Sequence, residues 1–165
     1  MNTSTNLPLA LFSALRGRLF TRVIDDYSRN EPVQLRGWTL LALSLYLSTK
    51  IRKYQDFRIG VALPPGIAGI LGNLAVLFAG KVPVNLNLTV SRDSMVASLK
   101  EAEIKVILSA GKVRAKFPDF PWTDDFIDLG GRPFAHVAPL WWLFLFLFVQ
   151  LRSCWFSSRK KKMKP

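Results

Sequence analysis

Short apolar runs alternate with helix-patterned segments between residues 57 and 108. The runs are Phe57–Leu63, Val82–Leu86 and Lys105–Leu108. Apolar runs of this length, separated by helical patterns, are typical of parallel strands joined by crossover helices. The pattern therefore predicts an α/β fold class with a parallel βαβαβ unit. A further short strand is predicted at Asp125–Leu129.

The segments between the runs carry the signals that mark helix boundaries. Pro65 stands at a first helical position and Gly80 at a C-terminal cap, which predicts a helix from Pro65 to Phe78. Ser91 is a preferred N-cap residue, and Asp93 follows in the first turn of the next helix. Both connections between the predicted strands are therefore helical.

Three glycines in the first of these helices invite a nucleotide-binding interpretation. Gly66, Gly69 and Gly72 follow a predicted strand, but their spacing is GxxGxxG rather than the GxGxxG of dinucleotide-binding folds. No acidic residue follows the next strand at the expected distance. We interpret the glycines as small residues that let the helix lie close to the sheet.

The segment Ala62–Val82 is also apolar over about the length of a membrane-spanning helix. Two prolines at its start, and the three glycines at positions 66, 69 and 72 and Asn73 inside it, are accounted for by a strand, a turn and a helix. A continuous span would have to tolerate all of them. The sequence therefore favours the strand–turn–helix interpretation over a transmembrane one.

Two further helices are predicted before this unit. Residues 1–20 have leucines and a phenylalanine at helical spacing, with arginines on the other faces, which indicates an amphipathic helix. We favour packing of this helix on the domain, and a membrane-surface helix is the alternative. The helix Trp38–Ile51 begins with ten almost wholly apolar residues, too few to cross a bilayer, which predicts a buried helix.

The C-terminal part of the chain differs sharply in composition. Residues 134–156 are predicted to form a hydrophobic helix, either transmembrane or monotopic, because the 18 positions from Phe134 to Leu151 measure about 27 Å as a helix. Residues 157–165 form a polybasic tail that suits anionic lipid. The predicted membrane-contacting residues are Trp141, Trp142, Phe144, Phe146, Phe148, Trp155, Lys160, Lys161 and Lys162.

Charge and cysteine content narrow the class of partner. The formal net charge is +12, which implies an anionic partner. Membrane phospholipid fits better than nucleic acid, because no nucleic-acid motif is present and many aromatic residues cluster in one apolar run. Cys154 is the single cysteine, so the chain contains no disulfide framework.

The predicted unit resembles the N-terminal region of adenylate-forming enzymes, the acyl-CoA and acyl-ACP synthetases of the AMP-binding superfamily. The resemblance extends over roughly residues 15–128, including Val23–Asp26 as an opening strand. The form GKVPVNLN is most similar to modules of membrane phospholipid acylation systems. The matching elements are Leu63 and Pro64, Ala79 and Gly80, Pro83 to Leu86, and Ser91, in IGVALPPGIAGILGNLAVLFAGKVPVNLNLTVS followed by AEIKVILSA.

The resemblance implies that residues 21–130 are the N-terminal portion of a synthetase domain, a partial parallel βαβαβ unit followed by a C-terminal hydrophobic helix. It implies a fragment of an acid–thiol ligase that activates a fatty acid with ATP and Mg²⁺. The family's phosphate loop with its lysine, its later ribose-binding aspartate and its catalytic lysine are not found in the sequence. We therefore assign no catalytic, cofactor-binding or metal-binding residue and expect no catalysis from this chain alone.

Partners and location follow from the same interpretation. Anionic membrane lipid is the expected partner, with the remainder of a synthetase as a further one, at the cytoplasmic face of a membrane. Two alternatives stay open. One is a small non-enzymatic membrane protein with one to three spans. The other is a binding or regulatory module that keeps the synthetase half-fold.

Overall fold

A four-stranded parallel sheet forms the centre of the computed structural model, which describes residues 6–27 and 32–129. Apolar runs and helix boundary signals alternate along the chain, and the elements follow them. In chain order the elements are α1 (Leu7–Arg16), β1 (Arg22–Asp26), β2 (Val33–Arg36), α2 (Gly37–Ile51), β3 (Arg58–Val61), α3 (Ile67–Phe78), β4 (Val82–Asn85), α4 (Arg92–Glu101), β5 (Val106–Ser109), α5 (Gly111–Lys116) and β6 (Asp125–Asp128).

The strand order in the central sheet is β4-β3-β5-β6, and all three neighbouring pairs are parallel. The predicted parallel βαβαβ unit is therefore confirmed, with strand ends that differ from the prediction by at most two residues. Pro83, which has no N–H to donate to a ladder, lies in β4, an edge strand of the described sheet where proline is tolerated.

Helices cover both faces of this sheet. On one face α3 packs close to the strands, because Gly72 leaves no room for a side chain: a Cβ there would lie 2.9 Å from Leu63 and 3.2 Å from Leu108. The interpretation of this glycine as a close-packing residue is confirmed. On the other face α4 closes a buried apolar cluster made of Ala62, Leu86, Met95, Leu99, Ile104, Ile107 and Phe120.

A second helical layer lies over α3. The mostly apolar α2 buries nine of its residues and packs mainly against α3, which confirms the prediction of a buried helix. Within the predicted range 1–20, α1 begins after Asn6, whose side chain accepts a hydrogen bond from Leu9 N at 3.3 Å. Phe12 of α1 meets Phe78 of α3 edge to face, with ring centroids 6.3 Å apart.

Three features of the structure differ from the sequence prediction. β1 pairs antiparallel with β2, a strand that the sequence analysis does not predict. α5 is a short helix that the sequence patterns do not predict. α3 begins at Ile67 rather than at Pro65, because Gly66 adopts a φ of +116°.

No helix among residues 6–27 and 32–129 is long and apolar enough to cross a membrane. The segment Ala62–Val82 is not one continuous helix: it contains the loop after β3, the 12-residue α3 and the first residue of β4, as the strand–turn–helix interpretation predicts. The predicted helix at residues 134–156 and the polybasic tail lie outside the described residues.

Candidate functional site

The carboxyl ends of the parallel strands form the edge at which an α/β sheet binds ligands. After β3 the chain continues to β4 on one side, whereas after β5 it continues to β6 on the other. The crevice between the ends of β3 and β5 is therefore the topological switch point of the sheet, the usual place for a ligand. We take this crevice and the residues around it as the candidate functional site.

The floor of the crevice is closed by a hydrogen bond between the two strands. Ser109, the last residue of β5, is fully buried, and its hydroxyl donates to the carbonyl oxygen of Ala62. Ala62 N in turn donates to Leu108 O at 3.0 Å. Because the Ser109 hydroxyl is the donor in this bond and is buried, it serves to hold the two strand ends together.

The N-terminus of α3 borders the crevice, and a carboxylate already occupies it. Asp26, from the end of β1, accepts a hydrogen bond from Ile67 N at 3.0 Å. Gly66 is required here twice over: its φ is +116°, and a Cβ at this residue would lie 2.6 Å from Asp26 Oδ2. A helix N-terminus attracts anions through its free N–H groups and its dipole. In this chain the attracted anion is a side chain from 41 residues away.

A second carboxylate makes the equivalent contact on the other side. Asp128, the last residue of β6, accepts a hydrogen bond from Gly111 N at 2.9 Å, at the start of α5. The backbone N–H groups of Ile67 and Gly111 are therefore already hydrogen-bonded to aspartates of the chain itself. The described residues also contain no group of three or more histidine, cysteine, aspartate or glutamate side chains placed to hold a metal ion.

An open groove of about 450 Å³ lies beside β4 and α4. Its apolar floor comes from Val84, Leu86 and Met95. The side-chain oxygens of its two asparagines already accept hydrogen bonds within the chain. Asn85 Oδ1 accepts from Asn73 Nδ2 at 2.9 Å, and Asn87 Oδ1 accepts from the threonine two residues further on. The groove therefore has an apolar floor and a lining that also includes two serines and Glu101.

The predicted membrane-contacting residues, from Trp141 to Lys162, all lie outside the described part of the chain, and their role stays a prediction. Sequence reasoning missed Asp26 and Asp128 as residues of the site. Asp128 is the last residue of β6 in the parallel sheet, where side chains reach the ligand-binding edge, and this position is a signal in the sequence. Asp26 ends β1 of the separate two-stranded sheet, so the same rule does not point to it.

No protein-family model matches the chain, and no curated protein matches it. Solved structures do match. The nonribosomal peptide synthetase FmoA3, in a form bound to α-methyl-L-serine-AMP, has a TM-score of 0.63 and 15% identity, over 75% of this chain and 14% of that one. FmoA3 in an AMPPNP-bound form has a TM-score of 0.64 and 15% identity, over 74% of this chain and 13% of that one.

Two ligases are similar in the same way. A benzoate CoA ligase from Burkholderia xenovorans LB400 has a TM-score of 0.57 and 19% identity, over 69% of this chain and 23% of that one. A fatty acyl CoA synthetase from Mycobacterium tuberculosis has a TM-score of 0.54 and 16% identity, over 72% and 26%.

These similarities define the class of fold. The described residues form an α/β unit with a parallel four-stranded sheet like that of the N-terminal domain of adenylate-forming enzymes. The chain spans only 13–26% of the length of the solved proteins that it matches. The resemblance seen in the sequence is confirmed at the level of the fold.

Replacing Asp26 with alanine is expected to lower the free energy of unfolding by about 0.5–2 kcal/mol, the range for losing a side-chain acceptor at a helix N-terminus. The physical reason is the loss of the hydrogen bond from Ile67 N to Asp26 Oδ2. Urea unfolding, followed by circular dichroism, measures this change in the free energy of unfolding. Asp25→Ala, an exposed neighbour in β1, is the matched control and should change the value by less than about 0.5 kcal/mol. Equal effects of the two substitutions would contradict this account of Asp26.

Proposed function

We propose that this chain supplies the first α/β part of the N-terminal domain of an adenylate-forming enzyme. In this proposal the enzyme activates a fatty acid as its acyl adenylate and passes the acyl group to the thiol of CoA or of an acyl carrier protein. The observation that carries the proposal is the strand order β4-β3-β5-β6, all parallel, in a fold shared with a peptide synthetase and two CoA ligases.

The proposed substrate class depends on the sequence resemblance and not on the fold. The similar structures include proteins named for benzoate, for a fatty acyl group and for a peptide, so the fold does not select among carboxylic acids. The choice of a fatty acid rests on the resemblance of GKVPVNLN to modules of membrane phospholipid acylation systems. A membrane location at the cytoplasmic face, through residues 134–165 and anionic lipid, belongs to the same proposal.

The role of the described residues in such an enzyme is to build a rigid sheet edge. At the switch point Asp26 accepts a hydrogen bond from the N-terminus of α3, and Asp128 accepts one from the start of α5. A nucleotide phosphate would meet carboxylates there rather than free N–H groups, and like charges repel. ATP and Mg²⁺ would therefore be held by parts of the enzyme other than these two helix starts.

The test is to determine the transcript and genomic sequence that follow the codon for Pro165 and to express any extended polypeptide. We expect an extension that encodes a Ser/Thr/Gly-rich phosphate loop with a lysine. The extended protein should catalyse ATP–pyrophosphate exchange that depends on a fatty acid, while residues 1–165 alone should not. Absence of such a loop in every frame, or an extended protein inactive with fatty acids, benzoate and amino acids alike, would contradict the proposal.

A further inference from the structure

Three exposed arginines and an exposed phenylalanine lie where α1, the β1–β2 hairpin and α2 meet. Arg18, Arg22 and Arg36 are exposed to solvent, and the Phe20 side chain is 75% exposed. We call these four residues the arginine patch. Their arrangement is set by the backbone of the hairpin and of the loop before it.

Close backbone contacts fix the loop that carries Arg18 and Phe20. Gly37 N donates to Thr21 O at 3.0 Å, and Trp38 N donates to Leu19 O at 2.9 Å. The Arg18 carbonyl oxygen lies so near to Gly37 that a Cβ there would be 2.3 Å away. The loop is therefore held against the residues that follow Arg36.

The strand register brings the other two arginines together. Arg22 and Arg36 are directly opposite each other in the β1–β2 ladder. Like charges at directly opposite positions of a strand pair destabilise the pair. Arg36 is also the N-cap of the 15-residue α2, which has no acidic residue in its first turn. A positive side chain at that end of a helix is opposed by the helix dipole.

No carboxylate of the described residues forms an ion pair with an arginine of the patch. The ion pair found in residues 6–27 and 32–129 is at another place, between Arg58 and Glu103 at 2.7 Å. Asp26, at the end of β1, is engaged at the α3 N-terminus. The other carboxylate of β1, Asp25, is exposed on the side of the hairpin where the two paired arginines lie, but it forms no ion pair with them. Three guanidinium groups stand against the single carboxylate of Asp25, which leaves a local excess of positive charge that an external anion would relieve.

We infer that the arginine patch is a docking surface for an anionic phospholipid bilayer. Guanidinium groups bind phosphate oxygens through two parallel hydrogen bonds, which suits lipid headgroups. The exposed Phe20 side chain supplies apolar surface for the boundary between headgroups and acyl chains. Since the sequence contains no nucleic-acid-binding motif, the combination of arginines with an exposed phenylalanine favours a bilayer.

This inference does not rest on the proposed synthetase function. It concerns a surface of the described part of the chain, distinct from residues 134–165. A protein without any ligase activity would carry the same surface.

The first experiment measures how the full chain partitions onto phosphatidylcholine vesicles with and without phosphatidylserine. A triple Arg→Gln variant at positions 18, 22 and 36 is expected to lose at least about tenfold in affinity for the anionic vesicles, since a basic residue near such a surface contributes about fivefold. The matched control carries Lys53→Gln, Lys100→Gln and Lys105→Gln, which remove the same charge from exposed lysines elsewhere. This control should lose less than about threefold.

Equal losses in the two triple variants would overturn the inference, because binding would then follow net charge alone. It would also be overturned if the arginine variant lost more affinity for duplex DNA than for vesicles, or if inorganic phosphate displaced the protein more than chloride of equal ionic strength. Circular dichroism establishes that both variants are folded.

A second measurement does not depend on the folding of the triple variant. In a Cys154→Ser background, Phe20→Cys is labelled with an environment-sensitive fluorophore. The matched label is at Val96→Cys on α4, where the side chain is 46% exposed. On anionic vesicles the label at position 20 should shift to shorter wavelength and the label at position 96 should not. An unchanged spectrum at position 20 on vesicle-bound protein would overturn the inference.

Discussion

Replacing Ile107 with alanine is expected to lower the free energy of unfolding by about 2–5 kcal/mol. Ile107 is fully buried in β5, the strand that pairs with both β3 and β6. Its side chain belongs to the apolar cluster that α4 covers, and it lies 3.4 Å from where a Cβ would stand at Gly60. The removed atoms leave a cavity between the sheet and α4, which the neighbouring strands cannot fill without distortion.

Urea unfolding of the full chain, followed by far-UV circular dichroism, measures this loss. Val96→Ala is the control, because Val96 lies on the exposed side of α4 and is 46% accessible. That substitution should change stability by less than about 0.5 kcal/mol. A protein that tolerates Ile107→Ala as well as Val96→Ala would not have β5 at the centre of its sheet.

The second large effect is expected for Gly37→Ala, at about 1–3 kcal/mol of destabilisation. A Cβ at residue 37 would lie 2.3 Å from Arg18 O and 2.9 Å from Arg18 C. Both atoms belong to the backbone, so a side-chain rotation cannot relieve the clash. The loop after α1 must then move away from α2, with loss of the bonds from Gly37 N and Trp38 N.

Hydrogen exchange measured by mass spectrometry locates this effect. Gly37→Ala should increase exchange in α1 and the β1–β2 hairpin, while β3 and β5 change little. Gly17→Ala is the matched control, since a Cβ there would meet its nearest neighbours at 3.6 Å, an ordinary contact. Unchanged exchange in α1 of the Gly37→Ala protein would contradict the packing described here.

The central sheet could be predicted because local signals and the overall fold agree there. The apolar runs of β3, β4 and β5 are separated by helical patterns with proper ends, and Ser91 caps α4 by accepting from Ser94 N at 3.4 Å. Parallel strands are buried, so their sequences are nearly continuous apolar runs, which are easy to find. The four residues of β5 are all buried.

The elements outside the central sheet depend on contacts between distant parts of the sequence, and so does the start of α3. β2 alternates half-buried and exposed positions, but over four residues this alternation is too short to identify a strand without its partner β1. α5 has six residues, and its first N–H is held by Asp128, 17 residues further along. The start of α3 depends on Asp26 and on the positive φ of Gly66. None of these contacts leaves a periodicity that a sequence pattern reveals.

The candidate site, like the fold, could be predicted from the sequence only in part. That ligands bind at the carboxyl edge of such a sheet follows from the predicted topology. The aspartates that occupy two helix starts at this edge, Asp26 and Asp128, emerge only when the strands are placed side by side. The expectation that the chain does not catalyse adenylation alone stays a prediction, to be tested by pyrophosphate exchange.

The central claim is that β3 and β4 run parallel in the register that places Arg58 opposite Val82. Disulfide trapping tests it most directly, in a Cys154→Ser background under mild oxidation. Arg58→Cys with Val82→Cys should form a disulfide, because opposite residues are within its reach. Arg58→Cys with Asn85→Cys should not, since three residues of strand separate them by roughly 10 Å. The reverse result, with the bridge forming only to position 85, would mean antiparallel strands and would contradict the adenylate-forming fold.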